Sequence, residues 1–463
     1  MPALLARLRS IRTSESGVSL IEVIVAMMIF AIISVGVAYS LLSAFTITGD
    51  SRARAVATNL AAQEIDLDRS SGDLFSLYST TADKQVQVPA GTGAVYSIKR
   101  TVSWVYGSGG DVDCNASAAS SILYKRVRVQ ISWPKMIGQP VVSDTVLAPS
   151  TKISVDTLGT ILVSTKSAAG APVAGIGVTV SPDPGSVPSA TDSMGCSYVL
   201  KVPPGTYTVT ASKTGYIDPF QNQAPSKIVT VKAGQSTSAG FTYDRAGAVA
   251  WAWPSSGSVT VPSTAAVSVL STYGVWTTAA TSPTSALLFP STAYSVVAGA
   301  YAPYTEANPG CRSPNPGDWP QYTSAGRTYL APAAPVTSVS PGVTTPAANV
   351  GKLPMGSITV TNPNNQSANL NLRAVSTTPF VSGDPGCTGK PQTIDFALGV
   401  LGKSANSKVT IVLPYGAWTL KYGTSTTPST AMPSSWLSIP TGATGVTIGA
   451  SGAFTLDPRV VQP

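Results

Sequence analysis

The chain has 463 residues, of which 43% are hydrophobic and 11% charged, with a formal net charge of +8 and no histidine. Without histidine there is no Ser-His-Asp triad, no Cys-His pair and no histidine-based metal centre. A GxSxG elbow, a Walker loop and a dinucleotide fingerprint are absent as well, so we read the chain as non-enzymatic and in need of no cofactor.

Residues 1–17 form a basic leader in which Arg7, Arg9 and Arg12 stand against a single Glu15. By the positive-inside rule this flank stays cytoplasmic and the downstream chain is sent outward. After Glu22 no Asp, Glu, Lys or Arg occurs until Asp50. That run exceeds the roughly 20 residues a helix needs to cross the hydrocarbon core, and residues 23–45 are read as its lipid-facing part. An ordinary secretory signal has a shorter apolar stretch, with its cleavage site behind it. Here Gly17-Val18-Ser19-Leu20-Ile21-Glu22 sits in front.

That hexapeptide resembles the prepilin processing motif of type IV pilins and the related pseudopilins. The resemblance implies cleavage between Gly17 and Val18 by a membrane prepilin peptidase, then N-methylation of Val18. Its implied partners are other pilin subunits and the pilus assembly machinery. It also implies a single-pass membrane precursor that reaches the cell surface as a filament. The first mature residue here is Val18, where the family usually has Phe. Cleavage would leave an α-amine about one helical turn from Glu22. Glu22 of one subunit could then neutralise the Val18 amine of a neighbour and set the axial register between them. The alternative is a signal anchor whose Glu22 snorkels to the interface.

Helical character continues beyond the apolar run. Leu60, Leu67 and Leu74 recur every seven residues, with Val56 and Leu77 offset, and Ser70-Ser71-Gly72 is a plausible stop. One spine helix of roughly 50 residues, about 75 Å long, is expected within 18–78. Gly36 should weaken it by about 1 kcal/mol relative to Ala.

A pilin-like β head is expected over 79–150. In Leu123–Trp133, Val127, Val129, Ile131 and Trp133 point one way and Arg126, Arg128, Gln130 and Ser132 the other, the pattern of a half-buried strand. Arg126 and Arg128 therefore read as a solvated face, and nucleic acid is not an expected partner. Asp111 and Asp113 supply too few oxygen ligands for a calcium loop and read as a solvated turn.

Residues 151–245 carry short strands and Gly/Pro turns at intervals near ten residues, as in a β-sandwich. The string Val202-Pro203-Pro204-Gly205-Thr206-Tyr207-Thr208-Val209 resembles a piece of carboxypeptidase-regulatory-like and collagen-adhesin B-type modules. Tyr207, Val209 and Ala211 should face inward. A diverged copy is expected over 351–463, where Leu413-Pro414-Tyr415-Gly416-Ala417-Trp418-Thr419-Leu420 parallels that string and Gly356–Asn362 parallels Gly159–Thr165. Between them, 246–350 reads as a β-rich module ending in a Pro-rich extended linker. Its Trp251, Trp253, Trp276 and Trp319 are expected in the core.

Cys114, Cys196, Cys311 and Cys387 all fall outside the cytoplasm, where an even number favours two disulfides. Three pairings are open. Cys311 and Cys387 each follow a Pro-Gly turn, which favours joining them. The fold class is thus α+β: a long membrane-spanning helix with a β head, then tandem β-sandwich modules. Two functions fit it. One is a minor-pilin-like filament subunit; the other is a cell-surface adhesin, anchored by its helix, whose head binds a surface ligand.

Overall fold

An apolar run without proline satisfies its backbone most simply as a helix. In the computed structural model Leu20–Ser70 is one 51-residue helix, α1. The structure describes residues 19–71, 74, 77–80, 82–89, 91, 93–149, 152–254, 259–278, 285–343 and 350–461. The helix passes through Gly36 without a break and ends at Ser71, whose backbone N–H reaches the Asp68 carbonyl. The chain divides into two compact units, residues 1–112 with 122–153, and residues 113–121 with 154–463.

In the first unit, strands β1 (Lys84–Val88), β2 (Ala94–Tyr106), β3 (Ile122–Ser132) and β4 (Val141–Leu147) form an antiparallel sheet in chain order. Val127, Val129, Ile131 and Trp133 are buried on one face, as the alternation of β3 predicts. On the other face Arg128 donates to both carboxylate oxygens of Asp144, at 2.9 and 3.0 Å. Those bonds hold the Asp144 carboxyl below its usual range. Lys125 points inward instead: it is buried, donates to the Leu77 carbonyl at 2.7 Å and lies 4.8 Å from the Trp104 ring centroid.

The expected leucine stripe is not the one that docks α1. Ala57, Ala61, Ile65 and Asp68 form the buried stripe, at the spacing of one helical face. Leu67 is 53% exposed, while Leu60 and Leu74 pack only partly against the same cluster. Alanine at the contact lets the helix backbone come close to the sheet, which longer side chains would hold off. Asp68 meets Arg100 on the inner face of β2 at 2.5 Å.

The second unit opens with a β-sandwich made of β5 (Gly159–Lys166), β6 (Gly177–Ser181), β7 (Cys196–Val202), β8 (Gly205–Ser212), β9 (Tyr216–Ile217), β10 (Ser226–Val231), β11 (Ser236–Thr242) and β12 (Asp244–Arg245). Its sheets have the orders β10-β8-β6 and β11-β5-β7, and β9 pairs with β12. Pro203-Pro204 carries the chain from one sheet to the other, and Tyr207, Val209 and Ala211 enter the core. The free edge of β11 is covered by residues 113–121. Ala118 and Ser236 exchange backbone hydrogen bonds of 2.8 and 2.9 Å, and Cys114 forms a disulfide with Cys196 at the start of β7.

The C-terminal copy repeats the connection. Gly356–Asn362 pairs antiparallel with Ser407–Leu413, as β5 pairs with β7. The next strand, Gly416–Gly423, again joins another sheet. The Tyr207 hydroxyl donates to the Pro203 carbonyl at 3.0 Å, and Trp418 Nε1 donates to the Pro414 carbonyl at 2.9 Å. These are the aligned positions of the two strings. Gly356 starts its strand against Leu456, and a Cβ there would lie 2.6 Å from that side chain; at Gly159 a Cβ would lie 2.4 Å from Val231.

Between the copies, Val267–Ser271, Gly274–Thr277, Ser291–Ala298 and Val336–Val339 build a four-stranded sheet. The Pro-rich stretch is therefore not extended linker throughout, because Val336–Val339 hydrogen-bonds to Ser291–Ala298. Trp251 and Trp319 are buried; Trp253 and Trp276 are half-buried. Val259–Thr260 pairs with Ser407–Leu413 of the last module, and Cys311 forms a disulfide with Cys387.

The shared aromatic-to-proline bond gives a graded expectation for urea unfolding of the second unit. Tyr207→Phe, which removes one hydrogen bond, should cost about 1 kcal/mol. Trp418→Ala, which also empties a core site, should cost about 3–5 kcal/mol.

Candidate functional site

The motif residues Gly17 and Val18 lie outside the described residues. From Ser19 onward the site can be built. Ser19 is extended, with φ −65° and ψ 137°, and its carbonyl accepts from the backbone N–H groups of Glu22 at 2.9 Å and Val23 at 3.2 Å. Glu22 is the acidic residue of the first helical turn. Its carboxylate has no ion-pair partner among the described residues.

From Leu20 to Ile47 the helix exposes large apolar side chains on every side, Phe30 to 72%. By length and composition it can cross a membrane. Three of its hydroxyls are satisfied within the helix. Ser40 donates to the Gly36 carbonyl at 2.9 Å, Thr46 to Leu42 at 2.8 Å and Thr48 to Ala44 at 2.8 Å. With these bonds made, the residues add no unpaired donor to an apolar surrounding.

The exposed half ends at a clasp. Asp50 accepts from the Ile137 backbone N–H at 3.1 Å and from Arg54 Nε at 2.9 Å. Arg54 also donates to the carbonyls of Ile137 and Gln139 and stands 5.5 Å from the Trp133 ring centroid. Sequence reading missed this point. Its signal was present: Asp50 and Arg54 are spaced i, i+4 at the end of the uncharged run.

The cysteines lie far from the helix in sequence and are used in pairs, Cys114 with Cys196 and Cys311 with Cys387. Asp111 accepts from Ser103 and Arg126, both at 3.0 Å, while Asp113 accepts from the backbone and side chain of Asn115. Among the described residues no cluster of three His, Cys, Asp or Glu side chains could hold a metal.

A family model, the prokaryotic N-terminal methylation motif, matches residues 12–38. That match supports a type IV pilin-like, membrane-anchored surface-filament subunit. No curated protein matches the chain. Among solved structures, the chain is similar to the Bacillus anthracis TIE protein, with 12% identity over 86% of this chain and 76% of that one, at a TM-score of 0.19. It is similar to a streptococcal ancillary pilin, with 10% identity over 48% of this chain and 74% of that one, at 0.18. A third is BcpA, the major pilin subunit of Bacillus cereus, with 10% identity over 65% and 94%, also at 0.18. At such scores these likenesses carry no argument, and the methylation motif carries the functional reading.

A chain starting at Gly49 retains the clasp and loses the exposed helix. On cloud-point separation of a non-ionic detergent it should stay in the aqueous phase, whereas the full chain should enter the detergent phase.

Proposed function

We propose that this protein is a minor-pilin-like subunit of a type IV pilus or related filament. Prepilin peptidase cleaves it after Gly17, Val18 is methylated, and residues 23–45 hold it in the membrane until it joins the filament. The observation that carries this reading is the methylation motif at 12–38, leading into a helix whose apolar surface has no cover among the described residues. Lipid covers that surface before assembly, and neighbouring helices cover it afterwards.

Glu22 supplies the selectivity. An acidic group left alone in the hydrocarbon core costs about 2.5–3.5 kcal/mol on insertion scales. A subunit whose Glu22 meets the Val18 amine of a neighbour avoids that cost at one axial offset only. The six modules in sequence, 1–17, 18–78, 79–150, 151–245, 246–350 and 351–463, then read as leader, spine, head, sandwich, middle module and second sandwich. A head this large fits few positions in a packed filament, which favours low copy number at the tip. A second reading, surface recognition by the second unit, is favoured by Phe220, which is held in a hydrogen-bonded loop yet exposed.

Intact mass and N-terminal sequencing of protein recovered from its native membrane test processing. A terminus at Val18 with one added methyl group is expected; one at Met1 would overturn the proposal. Glu22→Ala should insert normally yet enter filaments about tenfold less, as expected for a loss near 1.4 kcal/mol. Quantifying subunits in sheared filaments checks this, and unchanged incorporation would remove Glu22 from the assembly step.

A further inference from the structure

We propose that the cleft beside Phe220 in the second unit binds a neutral oligosaccharide. This deepens the surface-recognition reading and rests on it; it does not depend on filament assembly.

The loop from Asp218 to Asn222 is held in one conformation. The buried Asp218 carboxylate accepts from the Phe220 N–H at 2.9 Å, the Asn222 N–H at 2.7 Å and the Asn222 side-chain amide at 3.2 Å. Gln221 takes a φ of +67°, and its Oε1 accepts from the Phe289 N–H at 3.0 Å. A non-glycine residue in this region persists only where its surroundings over-determine it. All of this fixes the backbone that carries a phenyl ring which is 71% exposed and contributes little to the core.

Two further rings share the cleft. Tyr273, 41% exposed, packs edge-on against Phe289 at 5.7 Å, and its N–H donates to Ser271 Oγ at 3.2 Å. Trp276 is half-buried in the adjoining strand and packs on the core beneath it. Phe220, Tyr273 and Trp276 line a cavity of about 130 Å³. Across Phe220 lies a second recess of about 460 Å³, which includes Asn222 and Lys227.

The chemistry of the lining selects the ligand. Aromatic faces take the C–H faces of sugar rings, and nearby hydroxyl and amide groups take their hydroxyls. Rings carried on a backbone already fixed before binding lose less freedom when a ligand arrives. The Asp218 carboxylate is occupied by loop donors, and Lys227 is the one cation in the two linings, so neither strongly acidic nor strongly basic ligands are matched.

The test uses the full chain in a zwitterionic detergent, because alkyl glycosides would compete. Calorimetry and tryptophan fluorescence would be run with hexamers of β-1,4-linked glucose, β-1,4-linked N-acetylglucosamine and α-linked mannose. Oligogalacturonate serves as the anionic control. At least one neutral hexamer should bind with a Kd below about 1 mM. Phe220→Ala and Tyr273→Ala should each weaken it about tenfold or more, and Phe220→Ala should leave the thermal unfolding midpoint in place. The proposal is overturned if no neutral hexamer binds, or if only the anionic oligomer does. Binding that survives both substitutions would point to the open edge of Gly274–Thr277 and overturn it too. A precursor terminus at Met1 would end the filament reading and leave these outcomes intact.

Discussion

An apolar helix that finds no cover among the described residues must find it elsewhere, and the rest of this protein is organised around that constraint. From Leu20 to Ile47, α1 turns large hydrophobic side chains in all directions. Its backbone is satisfied by the helix, and Ser40, Thr46 and Thr48 return their hydroxyl protons to carbonyls four residues back. What remains is a rod fitted to lipid or to other rods like it, with Glu22 as its one charge. In the proposed filament, that isolation is what makes the glutamate informative about the offset between neighbours.

The same helix changes character within two turns. Asp50 and Arg54 bind backbone groups at Ile137 and Gln139, and from there the contact face is alanine rather than leucine. Small side chains permit a close approach to the sheet, while the Asp68–Arg100 pair adds a polar contact on the same face. Such a pair adds little net stability once desolvation is counted, but it disfavours slipped arrangements that would leave either charge buried alone. We suggest register as its main contribution.

Much of this was legible in the chain because it depends on local periodicity. The extent of α1, the inward set Val127, Val129 and Ile131, and the inward set Tyr207, Val209 and Ala211 follow from spacings of four or two residues. The two aligned strings make equivalent bonds, from Tyr207 and from Trp418 to the prolines four residues before them. The docking stripe was misread because hydrophobicity ranks Leu67 above Ala61, whereas the geometry of close packing ranks them the other way. The alternation puts Lys125 on the same inward face as Val127, but nothing local announces that Trp104 and the Leu77 carbonyl will receive its charge. The Pro-rich stretch before the last module looked like linker because strand pairing with Ser291–Ala298 is a long-range property. The loop from 113 to 121 gave no sign of belonging to the second unit for the same reason.

That loop has a consequence for durability. Because residues 113–121 belong to the second unit while both of their flanks belong to the first, the polypeptide passes between the units three times rather than once. A protease that cuts at the second or third crossing leaves the two fragments covalently joined, because the Cys114–Cys196 disulfide spans either break. A cut between Ile153 and Ser154 leaves Cys114 still bonded to Cys196. Tension applied to the far end of the chain is likewise shared among crossings, with the disulfide bearing load beside the peptide backbone. At the proposed surface location this wiring keeps the second unit attached after damage that would release a domain hung on one linker.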